Sequence, residues 1–278
     1  MSRATWVRLA GVAVMFSGLW MAFTQQAQPL RIEQVRENLH VIYGSGGNVA
    51  VLTTPNGAVL VDDKFDRNVP EILALVKTVT SEPVRYVFNT HHHGDHSGGN
   101  AQLGRSAQVI AHENARDNMA GSPPESLPSL SFSDQQTLHF GGMEVRALHF
   151  GRSHTDGDAV IYFPQLGVIH TGDMFVRGAP FIDYASGGSG VEWDDTLNEV
   201  LQLEFDTVIP GHGEVSSRED MTQWKSDFET FRSRVRRLVD DGKTAEEIQT
   251  TVDVSDLNGW TMSGLLQRSL PGLMQELR

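Results

Sequence analysis

The chain has 278 residues, of which 39% are hydrophobic, so it is long enough to bury a large core without cross-links. Its formal net charge of −13 argues against a nucleic-acid partner, because a surplus of acidic groups repels a phosphate backbone. The absence of cysteine excludes a disulfide, a thiolate nucleophile and a thiolate metal ligand, so any metal must be held by histidine and carboxylate side chains.

The first 27 residues follow the pattern of an export signal. Arg3 and Arg8 provide a positive start, and residues 9–23 are almost wholly apolar. Ala27 suits the last residue of a removed segment, but Gln25 fits poorly two positions earlier, so an uncleaved membrane anchor is the alternative. We predict a signal peptide or anchor over 1–27, one folded domain over 28–278, and a periplasmic or secreted protein, or one anchored outside the cytoplasm.

The rest of the chain alternates short apolar runs with turn residues. Residues 69–79 carry apolar side chains at helical spacing between two such runs, which indicates a parallel crossover, and the pattern turns helical again from Arg218. The mixture predicts an α/β fold. Residues 121–133 are rich in Ser and Pro and predict a surface connection, whereas 177–190 lack periodicity and form a candidate substrate loop. Strands are predicted at 39–43, 49–53, 58–61, 84–88, 107–111, 143–150, 159–163, 168–171 and 207–209.

The strongest chemical feature directly follows the predicted strand 84–88. His91 and His93 alternate, so in an extended backbone they point the same way and can share one ion, whereas Asp95 and His96 diverge toward a second. An exposed histidine-rich tract can also bind metal adventitiously, so further ligands must decide between the two interpretations.

Three further candidate ligands each follow a predicted strand and lie in a loop that contains glycine. They are His154, Asp173 and His212. Binding sites of α/β proteins form at the C-terminal ends of strands, and four such ends are improbable as a coincidence. The sequence therefore predicts one metal centre built from both halves of the chain.

The motif His91-x-His93-x-Asp95-His96, with the three later residues in order behind it, resembles the metallo-β-lactamase superfamily over nearly the whole chain after the leader. The resemblance implies a four-layer αβ/βα sandwich, with two mixed sheets flanked by helices, and a structural acid at Asp62. It also implies two zinc ions, with iron or manganese as alternatives. In that pattern the first ion is held by His91, His93 and His154, the second by Asp95, His96 and His212, and Asp173 bridges them.

This resemblance implies a hydrolase that acts on a small carbonyl compound. A zinc pair lowers the pKa of a shared water toward ~7, and the resulting hydroxide attacks the carbonyl, with Asp95 as the catalytic residue that orients it. The expected substrates are a β-lactam amide, a lactone or other ester, or a thioester, and export makes a cytosolic glutathione thioester less natural. Substrate contacts are predicted for Phe65, Phe175, Arg177, Tyr184 and Trp193.

Two other classes of function stay open. One is a mononuclear iron enzyme similar to persulfide dioxygenases, although the retention of His96 and Asp173 favours two metals. The other is a non-catalytic zinc-binding protein, which predicts a closed shell of ligands. Membrane contact is expected only if the leader is uncleaved, and the sequence does not specify the number of subunits.

Overall fold

A computed structural model describes residues 29–262 and 264–278, so the predicted leader lies outside the described residues. The first part of the described chain forms seven strands: β1 (Arg31–Arg36), β2 (Leu39–Tyr43), β3 (Val49–Thr54), β4 (Gly57–Val61), β5 (Val84–Phe88), β6 (Gln108–His112) and β7 (Leu130–Phe132). The second part forms six: β8 (Gln135–Phe140), β9 (Met143–Leu148), β10 (Val160–Phe163), β11 (Val168–His170), β12 (Thr207–Ile209) and β13 (Ser216–Ser217). The α-helices are α1 (Val69–Val79), α2 (Gly94–Ser97), α3 (Asn100–Leu103), α4 (Glu113–Asn118), α5 (Trp193–Val200), α6 (Arg218–Asp240), α7 (Ala245–Thr251) and α8 (Gly264–Glu276).

The strands form two mixed sheets. The first sheet follows chain order from β1 to β7, with an antiparallel meander over β1–β4 and parallel pairing from β4 to β7. The second sheet has the order β13-β12-β11-β10-β9-β8, and β11 and β12 are its parallel pair. Each half of the chain therefore contributes one sheet.

Three apolar clusters fill the spaces between four layers. Val59, Phe88 and Phe163 belong to the cluster between the two sheets. On the outer side of the first sheet, α1 packs its stripe of Val69, Ile72 and Val76 against residues such as Leu60. The outer side of the second sheet is covered by α5, α6 and α8 in one cluster around Trp193, Phe228 and Leu270. This arrangement confirms the predicted four-layer sandwich.

The predicted elements with strong apolar patterns agree with the structure, whereas polar edge elements were missed. Strands 39–43, 84–88 and 207–209 and the helix over 69–79 have the predicted bounds. The prediction missed β1 and β8 because they are edge strands with mostly exposed or half-exposed side chains. The interpretation of 121–133 as a connection is wrong at its end, where β7 pairs with β6, but 177–190 contains no strand or α-helix, as predicted.

The turn between β2 and β3 joins the two halves. The Gly47 amide donates to the Asp95 carbonyl at 3.0 Å, within the first half. The Asn48 side-chain amide reaches the second half, where it donates to the carbonyls of Pro210 at 2.9 Å and Gly213 at 2.8 Å. Those two carbonyls flank His212, so one asparagine fixes the position of the loop after β12.

The long helix α6 begins with a capping box. The Ser217 hydroxyl accepts from the Asp220 amide, and the Asp220 carboxylate accepts from the Ser217 amide, which satisfies two backbone groups at the helix start. Among residues 29–262 and 264–278, no helix combines the length and hydropathy needed to cross a bilayer.

Candidate metal centre

The loop after β5 is held in place by a buried carboxylate at the end of β4. Asp62 accepts from the Thr90 amide at 2.7 Å and from the Thr90 hydroxyl at 2.8 Å. Its backbone has a φ of 63°, a left-handed conformation that is unusual for a residue with a side chain and is found at functional sites. Immediately downstream, the short helix α2 begins after His93 and turns Asp95 and His96 toward the second sheet.

The first group of candidate ligands consists of His91, His93 and His154. Their ligand nitrogens lie within 4.8 Å of one another, and His93 Nδ1 lies 2.9 Å from His154 Nε2. His91 Nε2 is buried and has no hydrogen-bond partner among the described residues. A buried polar atom without a partner is costly, and a metal ion would satisfy it.

The second group consists of Asp95, His96 and His212. The Nε2 atoms of the two histidines lie 3.3 Å apart, and His212 Nε2 lies 3.3 Å from Asp95 Oδ2. This group contains one carboxylate and two imidazoles, a donor set that suits zinc.

Asp173 lies between the two groups and offers one oxygen to each. Its Oδ1 atom is 3.2 Å from His96 Nε2 and 3.4 Å from His212 Nε2, whereas Oδ2 is 3.8 Å from His154 Nε2. A side chain at Gly211 would place a Cβ atom 2.0 Å from Oδ1, so this approach requires glycine. The structure brings together all seven predicted metal ligands.

These distances fit metal ions. Four ligands at about 2.1 Å from a tetrahedral zinc lie roughly 3.4 Å from one another. The individual distances given above range from 2.9 to 3.8 Å, and the ligand atoms of each group, His91 included, lie within 4.8 Å of one another. The geometry therefore fits two metal ions that share Asp173.

Four of the histidines contact a second group through the ring nitrogen that faces away from the cluster. His96 Nδ1 lies 2.7 Å from Asp62 Oδ2, and His154 Nδ1 donates to the Phe181 carbonyl at 2.7 Å. The remaining pairs are His93 Nε2 with Asp183 Oδ2 at 2.9 Å and His91 Nδ1 with the Thr90 hydroxyl at 3.1 Å. Such partners fix the tautomer and ring orientation of a metal-binding histidine.

Sequence reasoning identified Asp62 but missed Asp183 and Phe181. Both missed residues lie within the irregular segment 177–190, where no periodic pattern marks a position as inward-facing. Only the tertiary contact with His93 and His154 reveals their part in the site.

Electrostatics differ between the two groups in the protein without metal. Burial, with the neighbouring histidines, lowers the pKa of His91 well below its ordinary value. Burial also opposes protonation of His96, but the carboxylates of Asp173 and Asp62 outweigh it and raise the pKa of His96 well above its ordinary value. The Asp173 carboxylate raises the pKa of His212 to about 9. The first group thus contains a neutral histidine, while the second holds protons that a metal must displace.

The cluster opens into a cavity of about 560 Å³. His93, Asp95, Asp173 and His212 form its polar side. The remaining lining residues are mostly apolar: Phe65, Val176, Arg177, Gly178, Ala179, Phe181 and Leu265, with Gly94 beside the ligands. The cavity therefore combines a cluster of metal-binding groups with an apolar wall.

The five predicted substrate contacts occupy different places. Phe65 and Arg177 line the cavity, and Arg177 Nη1 also lies 3.2 Å from Asp220 Oδ1. Phe175 is buried and borders a smaller neighbouring cavity of about 130 Å³.

Tyr184 and Trp193 do not line the cavity of the metal centre. The Tyr184 hydroxyl donates to Glu276 Oε2 at 2.8 Å, which turns the ring toward α8. Trp193 begins α5, is fully buried and donates from Nε1 to the Met174 carbonyl at 3.1 Å. Both residues lie near the site along the sequence, but their side chains pack away from the cavity.

Comparison with known proteins agrees with the fold and the cluster. The sequence profile of the metallo-beta-lactamase superfamily matches residues 42–212. The chain therefore belongs to this superfamily. The match ends at His212, so α6, α7 and α8 lie outside it.

Among related sequences, the chain is 30% identical over 208 residues to a metallo-beta-lactamase type 2 of Bacillus cereus, covering 68% of this chain and 78% of that protein. It is 28% identical over 176 residues to a hydroxyacylglutathione hydrolase of Nostoc punctiforme, covering 63% of this chain and 60% of that protein. Proteins named as a beta-lactamase and as a hydroxyacylglutathione hydrolase are thus both similar to this chain.

Solved structures show the same fold. A metallo-beta-lactamase from Pontibacter korlensis superposes with a TM-score of 0.65 at 21% identity, over 72% of this chain and 99% of that one. The DIM-1 metallo-beta-lactamase gives a TM-score of 0.65 at 22% identity, over 74% of this chain and 99% of that one.

Proposed function

We propose that the protein is a hydrolase that uses two zinc ions to cleave an acyl bond of a small molecule: a β-lactam amide, a lactone or other ester, or a thioester. The observation that carries the proposal is the pair of ligand groups joined by Asp173, four of whose residues line a cavity large enough for a substrate. His91, His93 and His154 would hold one ion, Asp95, His96 and His212 the other, and Asp173 both.

Zinc ions, when bound, supply Lewis acidity that activates water and polarises a carbonyl. The chain's own residues provide orientation and proton transfer. In the protein without metal, burial opposes ionisation of Asp95, but the hydrogen bond from His212 holds the pKa of this carboxyl below its ordinary value. Asp95 lines the cavity, and because its Oδ2 faces His96 and His212, the other carboxylate oxygen is the one that can accept a proton from the attacking water and orient it.

The open cavity argues against a non-catalytic zinc-binding protein. A structural zinc site is closed by four protein ligands, whereas here Asp95, Asp173 and His212 border a space in which a substrate fits. The complete second group argues against a mononuclear iron enzyme, because such an enzyme would leave Asp95, His96 and His212 without a metal to bind.

The choice of substrate depends less on the fold than on the loops around the site. The related proteins include, by name, a metallo-beta-lactamase and a hydroxyacylglutathione hydrolase, and one scaffold supports many reactions. The predicted export over residues 1–27 would place the enzyme in the periplasm or outside the cell. Fractionation of cells that produce the full chain tests that location, and a purely cytoplasmic pool would contradict it.

The decisive experiment measures metal content and turnover in the same preparation. We expect about two zinc ions per chain and hydrolysis of at least one member of a panel of penicillins, lactones and thioesters. His93→Ala and Asp95→Asn should each lower both zinc content and turnover, whereas His139→Ala, at an exposed histidine on β8, should change neither. Two bound zinc ions without turnover on any class would reject acyl hydrolysis, and about one iron without zinc would favour the dioxygenase alternative.

A further inference from the structure

The C-terminal helix α8 forms part of the cavity wall, although it lies beyond the residues that match the family. Leu265, in its first turn, lines the cavity together with Phe181. Leu265 is 45% exposed and is one of three large hydrophobic side chains, among the described residues, that face solvent to this degree. An exposed leucine inside a substrate cavity offers apolar surface that a bound group would cover.

Phe181 is held in a fixed orientation. Its ring stacks on His93, with centroids 6.3 Å apart and planes inclined by 24°. The guanidinium carbon Cζ of Arg268, on α8, lies over the Phe181 ring, 5.2 Å from its centroid. Its carbonyl accepts from His154 Nδ1. Phe181 therefore lies against the metal-binding histidines and lines the same cavity as Leu265.

The position of α8 relative to the site is set by several hydrogen bonds. Near the C-terminal end of the helix, the Glu276 carboxylate accepts from the Tyr184 hydroxyl at 2.8 Å, the Ser189 hydroxyl at 2.7 Å and the Gly190 amide at 2.9 Å. In the middle, the Ser269 hydroxyl accepts from the Ile182 amide at 2.9 Å.

Close packing adds to these bonds. The Tyr184 ring lies so close to the helix that a Cβ atom at Gly272 would stand 2.1 Å from it. The same loop that carries Phe181 and Asp183 is therefore tied to α8 from Ser269 to Glu276, which fixes the position of the helix beside the site.

The lining of the cavity favours an uncharged group against this wall. Among the described lining residues, Arg177 is the only lysine or arginine, and it is paired with Asp220. A carboxylate carried on the acyl chain would thus find no unpaired lysine or arginine among these lining residues, whereas an apolar chain would be removed from water.

We propose that α8 is a specificity-determining element: Leu265 and Phe181 bind the apolar acyl chain of the substrate, so the enzyme acts on compounds whose scissile carbonyl carries a hydrophobic chain or ring. This inference rests on the proposed acyl hydrolysis, because it assigns the acyl side of the scissile bond to this wall. It makes Leu265 a contact residue for the acyl group, not a metal ligand.

The test measures binding of reaction products, so it does not depend on turnover. Acetate, butyrate, hexanoate and octanoate are titrated calorimetrically into the zinc-loaded full chain. We expect affinity to rise about twofold to fourfold for each added methylene, since burial of one methylene corresponds to roughly fourfold when complete. Leu265→Ser should weaken octanoate binding by about fivefold to tenfold and acetate binding by less than twofold.

Leu130→Ser is the matched control, because Leu130 on β7 is 47% exposed and does not line the cavity. It should leave the chain-length series unchanged. Affinity that does not depend on chain length, or a Leu265→Ser variant that loses acetate and octanoate equally, would overturn the role of α8. Chain-length-dependent binding without hydrolysis of hexanoyl or octanoyl esters and thioesters would instead reject the proposed reaction and leave the apolar wall in place.

Discussion

The two groups of candidate ligands are built differently although they share Asp173. In the first group, His91 and His154 are each 1% exposed. In the second, the side chains of Asp95 and His212 are 26% and 40% exposed. His93 of the first group is 24% exposed and His96 of the second is fully buried, so each group reaches the cavity, and the first is the more enclosed of the two.

The two sites therefore differ in exposure and in protonation. An ion in the first group would have the more enclosed site, whereas an ion in the second group would compete with protons for its ligands. Burial and the neighbouring charges keep His91 neutral and available as a ligand, whereas Asp173 stabilises the protonated form of His212. We therefore expect the first group to bind zinc more tightly and the second to be more sensitive to pH and to substitution.

The largest effect on zinc content and turnover is expected at Asp173, which belongs to both groups and so removes the distinction between them. Asp173→Ala removes a ligand oxygen from both groups and a carboxylate that both His96 and His212 contact. Zinc content should fall from about two to one or less, and turnover should fall by more than the 10- to 100-fold that loss of an outer partner costs. Asp195→Ala, at an exposed position on α5, is the control, and full zinc content in Asp173→Ala would contradict the shared site.

A paired substitution tests the order of the two affinities. His91→Ala should abolish tight zinc binding in the first group, whereas His212→Ala should leave one tightly bound zinc ion per chain. Mass spectrometry under native conditions counts the ions in each variant. If His212→Ala loses both ions while His91→Ala retains one, the assignment of the tight site is reversed.

The pH dependence of zinc binding should also differ between the groups. Below pH 9, His212 carries a proton that zinc must displace, and the raised pKa of His96 adds a second, so affinity for the second ion should rise with pH by up to about tenfold per unit for each proton displaced. An ion in the first group would attract the Asp173 carboxylate and so reduce its effect on the pKa of His212. The affinity for the second ion would then rise less steeply with pH, but it would still rise. Competition with a fluorescent chelator between pH 6.5 and 8.5 measures both constants, and a flat second constant would contradict the prediction.

A moderate effect is expected from the partner of His93. Asp183→Asn removes the charge that orients the ring, so affinity for the first ion should fall by about 10- to 100-fold while the second constant changes little. The same competition assay resolves the two constants. Equal losses at both groups would show that Asp183 acts on the whole cluster.

The smallest effect on the metals is expected at α8. Glu276→Gln weakens the bonds to Tyr184, Ser189 and Gly190, which should lower Tm by about 2–6 °C, as follows from a loss of roughly 1–2 kcal/mol in a domain of this size. Zinc affinity should change by less than twofold. Glu229→Gln, in a surface pair with Lys225, is the control and should leave Tm unchanged.

The parts of the molecule that sequence could predict are those encoded by local pattern. The end of β5 and the loop after it carry their ligands at fixed spacing, and each later ligand follows a buried apolar strand. The sheet order and the four layers come from these strands together with the family resemblance, as the described structure confirms.

What sequence could not predict depends on contacts between distant residues. Glu276 lies 92 positions from Tyr184, and Leu265 reaches the cavity only because α8 is tied to the loop before α5. Trp193 shows the converse, since it follows a site loop along the chain but its ring completes the core. Apolar side chains in loops and at element ends have no periodicity to indicate which face they occupy, so the sequence could not distinguish Phe65, in a loop, from Trp193, the first residue of α5.

The asparagine between β2 and β3 has a consequence for how the enzyme would respond to engineering. Asn48 donates hydrogen bonds to the backbone on both sides of His212, while its neighbour Gly47 donates one to the backbone of Asp95. The distance between these two ligands of the second group therefore depends on how the two sheets are aligned. A substitution that slides one sheet by a fraction of an ångström would therefore appear first as a weaker second zinc constant, well before it changed the melting temperature. Variants made to improve packing or expression are best screened by titration with zinc, which would act as a built-in gauge of the junction between the halves.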